Sequence, residues 1–156
     1  MFKKRKASLS LSVNAIVILI LAIVMLGLGL SFIRGMFGKV SKQIEQQIAA
    51  EPEPPTPTRG NPLTISRESI VTNPGEREVI KIGFFNPTST PLTLVSPEIK
   101  CNQLDIEANS NQKTIDPAEY KIFDVIIKIP SASPDMYLCK INISNYEKDI
   151  AIRIKE

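Results

Sequence analysis

The sequence of 156 residues contains no histidine and no tryptophan. Catalytic triads that rely on a histidine base, and metal sites built from imidazole ligands, are therefore excluded. Serine, threonine and cysteine are present, but none lies in a Gly-x-Ser-x-Gly setting or beside a base that would activate it. We therefore predict a protein that is not an enzyme, with no catalytic residue, no cofactor and no metal ion.

Acidic residues are scarce in the first 50 residues, where Glu45 stands alone against seven lysines and arginines. Residues 51–156 carry fifteen acidic residues against twelve basic ones, so the net charge of +3 arises from the N-terminal third. A basic excess beside an apolar segment is typical of a membrane-proximal tail. Because the remainder is mildly acidic, we predict no nucleic-acid partner.

The longest apolar run extends from Ala15 to Ile33 and contains no charged residue. At about 1.5 Å per helical residue it spans roughly 28 Å, which matches the hydrocarbon core of a bilayer. This run predicts a single-pass helix in the cell membrane, with lipid as its partner. Lys3, Lys4, Arg5 and Lys6 precede the run, which favours a cytoplasmic N-terminus and an extracellular C-terminal domain.

Small residues recur within this helix, since Gly27, Ser31 and Gly35 are four residues apart and share one face. That spacing favours close packing against copies of the chain or other surface or filament subunits, although glycine is also common in membrane helices generally. Beyond Arg34 the apolar residues keep a spacing of three and four, so the helix is predicted to continue as a stalk to about Ala50. This narrow stripe needs a partner, which is another copy, another protein, the headgroup layer or the chain's own head domain.

The N-terminal residues Lys4 to Ser10, with the sequence KRKASLS, precede the apolar run directly. They resemble the class III signal peptide of archaeal type IV pilin-like proteins. The resemblance implies that a peptidase cuts between Ala7 and Ser8 and leaves the apolar helix on the mature chain. An uncleaved anchor with the same basic tail is the alternative.

Four prolines in the segment Glu51–Thr58 end the predicted helix, because proline lacks a backbone donor and restricts the residue before it. The segment is predicted to be an extended polyproline spacer. The predicted organisation is a basic tail or leader at 1–7, the membrane helix and stalk at 8–50, a proline-rich linker at 51–60 and a head at 61–156.

In the head the period of apolar residues changes from helical to alternating, which is typical of half-buried strands. Asn-Pro, Asp-Pro and Pro-Gly turns separate these runs. About seven strands are predicted, with one or two of them between Leu92 and Ala108, and the others at Leu63–Val71, Arg77–Phe85, Tyr120–Ile129, Met136–Ser144 and Asp149–Lys155. Their number and spacing predict an immunoglobulin-like β-sandwich, so the fold class is α+β in sequence order.

Four short motifs in the head are Pro74-Gly75, Phe84-Phe85-Asn86-Pro87, Ile129-Pro130 and Ala132-Ser133-Pro134-Asp135-Met136-Tyr137. In this order they are similar to surface-protein modules related to the NEW3 and CARDB families, although Asp135 stands where glycine is more usual. The resemblance implies an immunoglobulin-like scaffold, which does not by itself identify a ligand.

The head contains both cysteines, Cys101 and Cys139. In a small domain outside the cytosol they are predicted to form a disulfide worth about 4 kcal/mol in the chain-entropy model. A metal-binding pair or two unconnected thiols are the alternatives. The sequon Asn142-Ile143-Ser144 lies on a predicted strand with Asn142 facing outward, so Asn142 is a candidate glycosylation site.

These features predict a membrane-anchored surface protein that acts in adhesion or assembly, either as a pilin-like filament subunit or as an accessory of one. The alternative is a single-pass anchored extracellular binding or envelope module that does not polymerise.

Overall fold

The N-terminal element is one continuous helix, α1, which extends from Lys6 to Ala50. The computed structural model describes the backbone of residues 6–156 and the side chains from Val13 onward. The predicted basic residues Lys3, Lys4 and Arg5 lie outside the described residues. The chain divides into two compact units between Glu45 and Gln46, and the second contains the last turn of α1 and the sandwich.

The second unit contains ten strands. They are β1 (Leu63–Ile65), β2 (Ser69–Thr72), β3 (Arg77–Phe85), β4 (Leu92–Val95), β5 (Glu98–Cys101), β6 (Glu107–Asn109), β7 (Lys113–Ile115), β8 (Tyr120–Lys128), β9 (Met136–Ile143) and β10 (Tyr146–Ile154).

The strands form two four-stranded sheets and one small ribbon. Sheet 1 has the order β1-β3-β8-β6 and is antiparallel throughout. Sheet 2 has the order β2-β10-β9-β5, in which β2 runs parallel to β10, and β4 pairs with β7 in the ribbon. With β1, β3, β5, β6, β8, β9 and β10 taken as strands A to G, these orders are the A-B-E-D and C-F-G sheets of an immunoglobulin domain. The predicted immunoglobulin-like sandwich is confirmed.

The strand count exceeds the predicted seven because several strands have only three or four residues. The predicted strand Leu63–Val71 is two strands, since the chain leaves sheet 1 after β1 and enters sheet 2 at β2. Between Leu92 and Ala108 the structure has β4, β5 and the start of β6 rather than one or two strands. Strands this short contain too few alternations to be recognised from their period.

The core lies between the two sheets and is built mainly from isoleucine. The alternation places one side chain in two toward the core in the four long strands. The inward residues that are buried are Ile80, Ile82 and Phe84 on β3, Phe123, Val125 and Ile127 on β8, Cys139, Ile141 and Ile143 on β9, and Ile150, Ile152 and Ile154 on β10. Tyr137 on β9 is only partly buried, and β3 also buries Val79 and Gly83 on its other face. Because branched and aromatic side chains pack well on a pleated surface, this face fixes the register of each strand.

One polar side chain, Asn86, is completely buried at the end of β3. Its Nδ2 donates to the carbonyls of Thr90 at 2.9 Å and Ile115 at 3.0 Å. Its Oδ1 accepts from the backbone N–H of Thr88 at 3.0 Å and from the Thr88 hydroxyl at 2.6 Å. Asn86 therefore ties the loop after β3 to the end of β7, and its amide is fully used.

A tyrosine closes the opposite end of the sandwich. Tyr137 lies near the start of β9, two residues before Cys139, and its hydroxyl donates to the Ser133 carbonyl at 3.0 Å. This arrangement has the geometry of the tyrosine corner of immunoglobulin-like domains. It fixes the loop that connects β8 to β9.

We expect Tyr137→Phe to lower the free energy of unfolding by about 1 kcal/mol, because the ring is retained while one hydrogen bond is lost. Urea unfolding of the full chain in detergent measures this. Tyr120→Phe is the matched control, since Tyr120 is exposed and its hydroxyl makes no hydrogen bond within the described part of the chain. Equal effects of the two substitutions would contradict the structural role of the corner.

Candidate functional site

Helix α1 is long and apolar enough to cross a membrane. Within Val13–Ala50 its most apolar window has a mean hydropathy of 3.0, and none of that window is buried. Large side chains such as Leu28 and Phe32 are about 70% exposed. A soluble helix would bury such a surface, so this one requires lipid or other helices around it.

The small-residue face of α1 has open space above it. Apart from the neighbouring residues and backbone of α1 itself, no heavy atom of the described residues lies within 4 Å of the position that a Cβ would occupy at Gly27 or Gly35. With Ser31 they occupy one face, because residues four apart in a helix lie above one another. Their role in helix packing stays a prediction, as does the partner that would supply the packing.

The proposed leader cleavage falls at the start of α1. Ala7 and Ser8 lie in the first turn of the helix, and their side chains are outside the described residues. The cut between them therefore stays a prediction.

The two cysteines form a disulfide that joins neighbouring strands of sheet 2. Cys101 on β5 and Cys139 on β9 are register partners, and their Cα atoms lie 3.9 Å apart. The predicted pairing is confirmed, and Cys139 is buried in the core. A disulfide of this kind is typical of a domain that folds outside the cytosol.

The outer face of sheet 2 carries an exposed apolar patch. Met136 and Leu138 on β9 are 62% and 61% exposed, and Val71 on β2 is 48% exposed. Arg153 on β10 is the register partner of both Val71 and Met136, so it lies between them. This patch was not among the predicted sites, although the alternation that places Cys139 inward also places Leu138 outward. Exposed apolar side chains gathered on one face mark candidate contact surfaces.

Ion pairs occupy the other part of this face. Lys100 contacts Glu98 at 2.8 Å, and Lys140 contacts Glu147 at 2.9 Å. The hydrogen bond between Lys100 and Glu98 lowers the pKa of Glu98 and raises the pKa of Lys100. The hydrogen bond to Glu147 raises the pKa of Lys140. Because these groups are exposed and screened by water, the shifts reflect surface pairing and carry no catalytic meaning.

The proline-rich segment lies against the sandwich instead of forming a free spacer. Burial follows every third residue, since Glu51, Pro54 and Pro57 are buried while the residues between them are exposed. A polyproline II helix has three residues per turn, so one edge of it faces the same surface along its length. We call residues 51–57 the strap. The predicted polyproline geometry agrees with this period, but the spacer role does not.

Polar contacts hold the N-terminal end of the strap. Glu51 is 7% exposed in its side chain, and its Oε1 accepts from Arg67 Nε at 2.9 Å and from the Ser66 hydroxyl. Arg67 also donates to the Val79 carbonyl at 2.8 Å and to Glu78 at 3.3 Å. The buried carboxylate is therefore paired and hydrogen-bonded, which is the condition for burying a charge.

The C-terminal end of the strap packs on Gly83 of β3. A Cβ at Gly83 would lie 3.2 Å from Cγ and Cδ of Pro57 and 2.7 Å from Oγ1 of Thr64. After Pro57 a tight turn follows, in which Thr58 and Asn61 exchange two backbone hydrogen bonds of 3.0 and 3.1 Å. The chain then enters β1, which pairs with β3.

We expect Gly83→Ala to lower the free energy of unfolding by about 1–2 kcal/mol, because the added methyl forces Pro57 and Thr64 to move. Gly60→Ala is the matched control, since Gly60 lies in the turn after the strap with nothing within 4 Å of a new Cβ. Urea unfolding of the full chain compares the two. A Gly83→Ala effect no larger than that of Gly60→Ala would contradict the contact.

The sequon residue Asn142 is less accessible than its strand position predicts. It does face outward on β9, but it is partly buried, because residues Leu92–Ser96 lie beside it in a shallow cleft. Its Oδ1 is buried and has no hydrogen-bond partner among the described residues. Glycosylation at Asn142 stays a prediction.

Among the comparisons with known proteins, only the comparison with solved structures gives matches. No protein-family model matches the chain. No curated protein matches it. Similar solved structures include SSP-19, an MSP-domain protein like family member in Caenorhabditis elegans, at 12% identity and a TM-score of 0.41, covering 59% of this chain and 98% of that one.

Two further solved structures are similar at the same level. A FixG-related protein from Vibrio parahaemolyticus has 8% identity and a TM-score of 0.42, covering 53% of this chain and 80% of that one. WR4, a C. elegans MSP family member, has 10% identity and a TM-score of 0.41, covering 60% and 97%. The immunoglobulin-like assignment therefore rests on the strand order. The domain and the apolar helix are compatible with a surface module.

Proposed function

We propose that this chain is a non-enzymatic surface protein, a pilin-like filament subunit or an accessory of such a filament, held in the membrane by α1. The observation that carries the proposal is the continuous 45-residue helix, whose apolar part is exposed and which is followed by a disulfide-bonded sandwich. In this arrangement the helix is the assembly element and the head is the recognition element. The KRKASLS motif at residues 4–10 supports the filament form of the proposal.

The membrane orientation is part of the proposal. The four basic residues 3–6 favour the cytoplasmic side, and a disulfide in the head favours an oxidising exterior. Protease added to intact cells should therefore digest the head, while a cytoplasmic control protein stays intact. Protection of the head in intact cells would overturn this orientation.

The cleavage step is tested by the intact mass and N-terminal peptide of the protein isolated from membranes. A mature chain that begins at Ser8 supports the pilin-like pathway. Ala7→Leu should then abolish the cut, because the peptidase of that pathway requires a small residue, while Ser12→Ala should be cut normally. A wild-type chain that retains residues 1–7 would overturn the filament proposal.

We expect Gly27→Leu to weaken self-association of the helix by at least tenfold, which corresponds to about 1.4 kcal/mol. The leucine would hold neighbouring helices apart on the small-residue face. Gly29→Leu is the matched control, because Gly29 lies two residues away and therefore on the other side of the helix. Sedimentation in detergent and filament yield on cells measure the effect, and equal loss in both variants would argue against a specific face.

The anchored module that does not polymerise is the second candidate. The exposed patch of Val71, Met136 and Leu138 on sheet 2 favours it, because exposed apolar side chains gathered on one face mark candidate contact surfaces. An uncleaved chain that stays monomeric in detergent is the result that supports this candidate over the filament.

A further inference from the structure

We propose that the outer face of sheet 1 is a recognition groove for a polyproline II segment that begins with an acidic residue. In this chain the strap, residues 51–57, occupies the groove as a releasable latch. The inference concerns the head alone and does not depend on whether the chain forms filaments.

The head contacts the strap at every third residue, which is the pattern in which polyproline ligands are bound. Glu51, Pro54 and Pro57 face the sheet, and the four residues between them are exposed. A polyproline II segment needs little further ordering to bind, because proline already fixes its backbone. A covalent spacer has no need for buried contacts at three successive turns, whereas a ligand does.

The acidic residue of the strap, Glu51, is bound by Arg67, whose side chain is held in place by other residues of the head. Arg67 is fixed by the Val79 carbonyl at 2.8 Å and by Glu78 at 3.3 Å, and neither partner belongs to the strap. The Ser66 oxygen accepts the Lys81 backbone N–H at 3.2 Å, which holds that oxygen in place and leaves its hydroxyl proton free to be donated to the Glu51 carboxylate. The sheet therefore orients both donors, so the carboxylate site does not depend on the strap for its shape.

The last proline of the strap, Pro57, packs into a notch on the surface of β3. Gly83 supplies it, because a Cβ there would lie 3.2 Å from Cγ and Cδ of Pro57 and a larger side chain would displace the proline ring. On sheet 1 the register partners of Gly83 are Thr64 and Ile122, and they form the walls beside the notch. Thr64 is buried although its position in β1 faces outward, which is consistent with cover by the strap. The groove thus selects an acidic residue followed by prolines three and six positions later.

The latch can open at the turn that follows it. Thr58 to Asn61 connects the strap to β1 through two exposed residues, Arg59 and Gly60. Release of the strap would leave β1 paired with β3, so the sandwich core would stay intact.

The experiment uses the full chain in detergent and a labelled peptide with the sequence of residues 51–58. The triple variant Glu51→Lys, Pro54→Ser, Pro57→Ser empties the groove. We expect saturable binding of the peptide to this variant, with at least tenfold weaker binding to the wild type, where the latch competes. Adding Gly83→Leu to the triple variant should abolish binding, and a peptide with its prolines moved by one position should not bind.

Two measurements show that the variants are suitable. An intact Cys101–Cys139 disulfide, together with unchanged circular dichroism, shows that the sandwich is folded. Faster trypsin cleavage at Arg59 shows that the latch is released. If the triple variant does not fold, Glu51→Lys alone serves in its place.

The proposal is overturned if trypsin cuts Arg59 equally fast in the wild type and the variant, because the strap would then not be latched. It is also overturned if the emptied groove fails to bind the peptide at millimolar concentration, or binds it equally well with Gly83→Leu. None of these results bears on leader cleavage or on filament formation, so failure of the groove and failure of the proposed function are distinguishable.

Discussion

Asn86→Ala is expected to lower the free energy of unfolding by about 3 kcal/mol, a large share of the 5–15 kcal/mol that holds a typical domain together. The substitution removes a buried amide that makes four hydrogen bonds to the loop after β3 and to the end of β7. The buried Ile115 carbonyl would be left without a partner, which costs about 1–3 kcal/mol, and the bonds that hold the Thr88–Thr90 loop would be lost as well. Urea unfolding of the full chain in detergent measures the loss.

A second variant separates the lost hydrogen bonds from the lost volume. Asn86→Asp keeps the shape but places a carboxyl against two carbonyls, where burial raises the pKa of the new group. Its folded state is therefore favoured at low pH, and stability falls as the pH rises through that raised pKa. Asn111→Ala, at an exposed position, is the control and should change little. An Asn86→Ala effect below 1 kcal/mol would contradict the role given to this side chain.

Removing the disulfide is expected to cost about 4 kcal/mol. Cys101 and Cys139 are 38 residues apart, and releasing a loop of that length restores conformational entropy to the unfolded chain. The double variant Cys101→Ala, Cys139→Ala should show this loss, and reduction of the wild type should lower stability in the same direction. Unfolding midpoints in urea, with and without reductant, are the measurement.

The matched control lies one residue away on the same two strands. Lys100 and Lys140 are register partners on the outward face, so replacing both by alanine leaves the disulfide intact. Their ion pairs are exposed and screened by water, so removing them should change stability little. Comparable losses in the two double variants would show that the disulfide is not the main connection between β5 and β9.

The long strands were predictable because burial on one face imposes a period of two. Ile80, Ile82 and Phe84 can be assigned to the core from their spacing, and the structure confirms them. The edge strands were not predictable, since β6 and β7 have three residues each and their pairing depends on β8 and β4. The partners of Asn86 were also hidden, because Ile115 is 29 residues away along the chain.

The spacer role predicted for the strap was wrong for a different reason. The prolines indicate polyproline geometry, but they do not by themselves show that every third side chain of the segment is buried. The buried residues of that period are Glu51, Pro54 and Pro57, and Gly83 leaves space for the ring of Pro57. Tyr137 was similarly recognisable from its place two residues before Cys139.

The edges of the two sheets affect how such heads behave when crowded. Each sheet ends in strands of three or four residues, namely β1 and β6 in sheet 1 and β2 and β5 in sheet 2. A short edge offers few free backbone groups, so a neighbouring chain cannot readily extend the sheet and seed amyloid. Heads at very high local concentration would therefore stay separate folded bodies, and contacts between them would have to be made by side chains.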